Sequence, residues 1–90
     1  MTVYYFHRDY DINKFNEICR FFETQFLEYK KEEMLIDIDD SMIQPYTNGD
    51  KIIYVVNCAQ SGMILARTNV DLSDFSYTFA IFKDGELIKK

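Results

Sequence analysis

Ninety residues with a net charge of −5 predict one small acidic domain spanning the whole chain, and folding hides only about 60% of the surface such a chain exposes when unfolded. That balance, with Lys and Arg scattered, argues against direct nucleic-acid binding. No apolar run approaches the ~18 residues of a membrane span, and two cysteines without a secretory leader give no disulfide framework; a cytoplasm is the expected setting.

In chain order, Thr2 to Arg8 is dense in Val3, Tyr4, Tyr5 and Phe6 and predicts a first strand. Asp11 is placed to cap a helix over residues 12–31, along which Ile12, Phe15, Cys19, Phe22, Phe26 and Tyr29 recur at spacings of three and four. Phe21 and Leu27 widen that stripe, and Lys30 and Lys31 oppose the helix dipole at its end. Met34, Ile36 and Ile38 then alternate with Leu35, Asp37 and Asp39, the period of a half-buried strand with carboxylates outside.

Pro45 restricts the stretch from Met42 to Tyr46 to a short edge strand. Asn48-Gly49 signals a two-residue turn into Lys51–Cys58, an apolar run expected at the centre of a sheet. Met63 to Thr68 predicts the next strand, and the alternation of Phe75, Tyr77, Phe79 and Ile81 another. Asp84-Gly85 predicts a type I′ turn, with Leu87 and Ile88 returning. Together these elements predict an α+β fold of two layers, one long N-terminal helix on a four- to five-stranded, mainly antiparallel sheet in the order β-α-β-β-β-β.

Charge is concentrated in one stretch. Residues 32 to 50 hold Glu32, Glu33, Asp37, Asp39, Asp40 and Asp50 with no Lys or Arg, while the rest of the chain nets +1. A carboxylate array of this kind can occupy a protein that normally binds DNA or RNA through Lys and Arg, acting as a nucleic-acid mimic. Met42 and Tyr46 interleave with the acids as candidate apolar anchors, so the expected partner-binding set is Glu33, Asp37, Asp39, Asp40, Met42, Tyr46 and Asp50. The same carboxylates could share Mg²⁺ or Ca²⁺, although the EF-hand spacing is absent.

Catalytic chemistry has few carriers. His7 is the sole histidine, Cys19 and Cys58 read as quiet buried thiols, and the serines lack a G-x-S-x-G setting. The leading expectation is therefore a small acidic interaction module, without a cofactor, that inhibits or regulates a larger basic-faced, nucleic-acid-handling protein. Abundant Phe, Tyr, Ile, Asn and Lys with sparse Gly, Ala and Pro suggest A/T-rich codons and a phage or mobile-element origin, hence a host cytoplasm. A homodimeric regulatory or ligand-binding domain, joined through an aromatic sheet face, is the second expectation. A Mg²⁺-dependent phosphate-ester enzyme at Asp37, Asp39 and Asp40 is the third.

Overall fold

The structure, a computed structural model, describes residues 1–89, and of Lys89 the backbone alone. It comprises β1 (Thr2–His7), α1 (Ile12–Gln25), β2 (Lys30–Lys31), β3 (Leu35–Ile36), β4 (Met42–Asn48), β5 (Lys51–Cys58), β6 (Met63–Thr68), β7 (Ala80–Lys83) and β8 (Glu86–Lys89). One sheet runs β2-β4-β5-β6-β1-β7-β8, with β3 also on the outer edge of β4. All its pairings are antiparallel. The fold is α+β, one helix on an antiparallel sheet.

α1 begins where predicted. Asp11 caps it, its carboxylate accepting the Lys14 N–H at 2.9 Å, while the Asp11 N–H donates to the Asn57 side chain on β5 at 3.3 Å. Phe15, Ile18, Cys19 and Phe22 face the sheet and are buried; Ile18 continues the stripe but does not appear in the predicted set, whereas Ile12 and Leu27 point to solvent. The helix stops at Gln25 rather than at residue 31. Phe26 turns back, its N–H donating to the Phe22 carbonyl at 2.9 Å and its ring stacking on Phe22 at 5.3 Å. Tyr29 packs edge-on against Phe26 at 5.4 Å, and Lys30 and Lys31 pair with Thr47 and Tyr46 of β4 instead of ending the helix.

Under the helix lie Tyr4, Phe6, Tyr46, Ile53, Val55, Ile64 and Ala66, all buried. Phe22 is the hub of this core. Its ring centroid lies 4.3 Å from Phe75, 5.8 Å from Phe6 and 5.9 Å from Tyr46. Central β5 and β6 form as predicted, and their helix-facing side chains are shielded completely. The Asp84-Gly85 turn has φ of +53° and +80°, as type I′ requires.

The strand number, the 75–81 strand and the β4–β5 loop differ from the prediction. The sheet has eight short strands rather than four or five, because four are two to four residues long. The alternation from Phe75 to Ile81 is not one strand. Residues 72–78 form successive turns, Phe75 N–H to Leu72 carbonyl and Thr78 N–H to Phe75 carbonyl, each 3.0 Å, and β7 starts only at Ala80. At the β4–β5 hairpin Asn48 pairs with Lys51, so the two loop residues are Gly49 and Asp50, with Gly49 at φ +62°; positive φ at the first loop position is the type II′ requirement.

Because Phe22 joins the helix to three other parts of the core, Phe22→Ala is expected to cost about 3–5 kcal/mol, the usual loss for a buried Phe. Urea unfolding measures it directly.

Candidate protein-interaction site

β4 has an interrupted outer edge. Glu32 lies opposite Pro45 and donates its N–H to the Pro45 carbonyl at 3.0 Å; proline has no N–H to return. The buried Gln44 replaces that donor, its side-chain amide reaching the Glu32 carbonyl at 2.7 Å. Beyond this point the register slips. Lys31 pairs with Tyr46 but Leu35 pairs with Ile43, leaving Glu33 and Met34 together opposite Gln44 as a bulge.

Past the bulge the chain runs along the rim of the sheet and leaves it. Leu35 and Ile36, at 53% and 66% exposure, form only a two-residue strand, and Ile38 is fully exposed. The predicted half-buried strand over this stretch is thus corrected, since the slip changes its parity and the core does not reach it. A compact turn follows. Asp37 N–H donates to the Ser41 carbonyl at 2.8 Å and Asp40 N–H to the Asp37 carbonyl at 3.0 Å. The Asp37 carboxylate accepts the Ile38 N–H at 2.8 Å, and that of Asp39 accepts the Ser41 N–H at 3.0 Å.

Asp40 occupies the left-handed region at φ +69°, which Asp tolerates better than most side chains. Tyr10 donates its hydroxyl to the Asp40 carbonyl at 2.8 Å. At the base, buried Ser41 accepts the Ala59 N–H at 2.9 Å. The Ser41 amide, aided by its hydroxyl, holds the Asp39 carboxyl below the usual carboxylate range. The result is a pinned turn with three carboxylates around one apolar tip.

The predicted site residues are therefore only partly together. Asp37, Asp39 and Asp40 share the turn, and Glu33 is exposed in the adjoining bulge. Asp50 is exposed in the hairpin loop beyond the opposite end of the seven-residue β4. Met42 and Tyr46 belong to the core side. Met42 is half-buried, with its sulfur 3.8 Å from the Asn57 amide. Tyr46 is 2% exposed, and its hydroxyl donates to Glu23 at 2.6 Å and to the Cys19 carbonyl at 3.3 Å. Burial, reinforced by the Glu23 contact, pushes its ionisation far up. The apolar side chains of this segment that face solvent are Met34, Leu35, Ile36 and Ile38, and Ile38's position between Asp37 and Asp39 was the available signal.

The thiols differ. Burial raises Cys19 to about 11. Cys58 is half-buried, and although burial alone pushes its thiol up, the Ser61 hydroxyl, the Ser61 and Gln60 amides and the Ser41 hydroxyl outweigh it and bring the thiol below its ordinary value. The half-burial of Cys58 differs from the expectation of two buried thiols. No Cys–His pair forms with Cys58, because β6 separates β5 from β1: His7 is registered with buried Ile64 and Cys58 with Met63, on opposite faces. Among the described residues no three His, Cys, Asp or Glu side chains are grouped to hold a metal, and no helix is long and apolar enough to cross a membrane.

No family model matches the chain, and comparison with curated proteins and with solved structures returns no match.

Gln44→Leu leaves the Glu32 carbonyl without its donor and is expected to cost about 1–3 kcal/mol in urea unfolding, the range for orphaning a shielded backbone acceptor. For the thiols, a maleimide or disulfide reagent near neutral pH should modify Cys58 in the folded protein while Cys19 reacts only on unfolding. Equal native rates would show that the hydrogen bonds around Cys58 have no chemical effect.

Proposed function

We propose that the turn at residues 37–40 docks this protein onto a larger protein with a basic face, and that the docking inhibits or regulates it. The observation carrying this reading is Ile38, fully exposed at the tip of a hydrogen-bonded turn whose neighbours are carboxylates. An exposed apolar side chain in a pinned loop costs little ordering on binding and suits a pocket as a central anchor. The surrounding charges steer association and select basic surroundings for that pocket.

A protein that handles DNA or RNA offers such a surface, since its Lys and Arg already gather to meet phosphates. In this reading the carboxylates occupy the nucleic-acid site in place of the polymer. Leu35 and Ile36 extend the apolar contact along the rim, and Glu33 adds charge beside it. Met42 and Tyr46 lie on the core side of β4 and do not touch the partner in this reading.

Asn at positions 37, 39 and 40 retains a side-chain oxygen for the two backbone contacts and tolerates the left-handed conformation at 40, so Asp37→Asn/Asp39→Asn/Asp40→Asn should fold normally. Ile38→Ser, changing a fully exposed side chain, should fold as well. With parent and both variants immobilised side by side, a protein retained by the parent at ~0.1 M salt should be released towards ~1 M, as the Debye length falls from about 10 to about 3 Å. The triple variant should associate with it at least about tenfold more slowly, Ile38→Ser should raise its dissociation rate, and DNA or RNA should compete with the parent. Identical capture by all three would remove the turn from the interaction.

A further inference from the structure

We infer that the sheet face away from α1 is where two copies of this chain meet. This surface is centred away from the acidic turn and shares with its rim only Leu35 of β3. None of the described residues forms a second layer there: Val56 and Leu65 sit at its centre, with Tyr5, Tyr54, Phe82 and Leu87 around them. The central pair is already shielded by its neighbours, whereas Phe82 and Leu87 remain 40% and 58% exposed. Two shallow apolar grooves of about 270 and 290 Å³ indent the face, one towards β4 and β5 and the other towards β7 and β8. Exposed apolar side chains gathered beside two apolar grooves on one face are uncommon on a protein that stays alone.

Size, charge and chemistry select a second copy as the occupant. Seven strand positions at about 4.8 Å spacing are about 29 Å across, and the four longer strands, of six to eight residues at about 3.4 Å per residue, run over 20 Å in the other direction, with β2, β7 and β8 shorter at the margins. The face is then roughly 600 Å² in flat projection, before side-chain relief, against the ~600–1,000 Å² that each partner contributes to a stable interface. No carboxylate occupies a strand position on this face from β4 through β8. Two molecules of charge −5 can therefore approach here with their acidic turns held at the periphery.

Among the described side chains at those strand positions the charged one is exposed Arg67 of β6, registered with Tyr54 on one side and Val3 on the other, while Lys89 of β8 takes the position registered with Ala80. A guanidinium is weakly hydrated and stacks on aromatic faces, and the same surface supplies both arginine and aromatic rings. That is the self-complementarity a two-fold interface needs. A basic partner finds no carboxylate to pair with on these strands, and a nucleic acid would meet a chain of the wrong net sign.

Light scattering on a sizing column or sedimentation equilibrium tests the inference between about 10 and about 200 µM, the range in which a micromolar dimer dissociates. The parent should approach twice its 10.8 kDa mass at the upper end. Phe82→Glu and Leu87→Glu alter partly exposed positions, so each should keep the parent's circular dichroism while the dimer dissociation constant rises at least tenfold. Arg67→Ala should weaken the dimer several-fold. Neutralising Asp37, Asp39 and Asp40 should leave it intact, which separates this surface from the turn. A parent that stays monomeric at about 200 µM, or folded Phe82→Glu and Leu87→Glu proteins that still dimerise like the parent, overturns the inference.

Discussion

One helix has to close one face of an eight-stranded sheet, and the remaining structure follows from that shortage. Fourteen residues make a helix about 21 Å long and roughly 10 Å wide, while the sheet is about 29 Å across at the usual strand spacing. Aliphatic side chains on so narrow a roof would leave gaps at its margins. Aromatic rings reach further per residue, each able to bury about 150–250 Å². Phe22 shows the consequence, touching Phe6 on β1 and Tyr46 on β4 although β5 and β6 lie between those strands. Tyr46 also ties its hydroxyl to the helix through Glu23 and the Cys19 carbonyl, so the far strand is held by shape and by hydrogen bonding together.

The helix does not cover the margin beyond β1, and the connection from β6 to β7 completes the layer. Leu72 and Phe75 turn inward from it and are buried, with the Thr78 hydroxyl closing the loop onto the Leu72 carbonyl at 3.2 Å. Phe75 then joins Phe6, Phe21, Phe22 and Tyr77 in one ring cluster. An irregular segment can do this because its backbone groups are partly met by its own turns. The opposite face has no comparable segment among the described residues. Its apolar side chains are the remainder of a composition that one helix and one loop cannot shield.

The fold class, the capped helix start, β5, β6 and the Asp84-Gly85 turn were legible because local chemistry and tertiary packing agree there. Elsewhere two periods competed. Phe75, Tyr77, Phe79 and Ile81 alternate as a strand would, but Phe75 is worth more in the helix layer than in a ladder, and tertiary packing overrides the pattern. The stripe through Phe26 and Tyr29 suits a longer helix, yet the helix stops at Gln25 and the chain beyond it pairs with β4 through Lys30 and Lys31. The candidate site was visible as a cluster of charge and invisible as a shape. Alternation placed Met34, Ile36 and Ile38 inward, and a single extra residue opposite Gln44 removes the basis for that parity.

That extra residue follows from Pro45, and Pro45 links the sheet to the acidic turn. A proline in β4 cannot donate on its outer edge, so a continuous partner strand would leave the Glu32 carbonyl unpaired. Gln44 satisfies that carbonyl with its side chain, and the ladder breaks into the two-residue β2 and β3. A broken ladder lets the intervening residues leave the plane of the sheet. Short, interrupted and charged edges also resist unwanted pairing with other strands, and the carboxylates at 37, 39 and 40 supply that charge where β4 begins. The backbone contacts made by Asp37 and Asp39 then fold the departing chain into a turn instead of a loose loop, leaving Ile38 exposed. The exposed tip is thus a consequence of one missing N–H: proline interrupts the edge, glutamine repairs the interruption, and the repaired bulge carries the acidic segment away from the core.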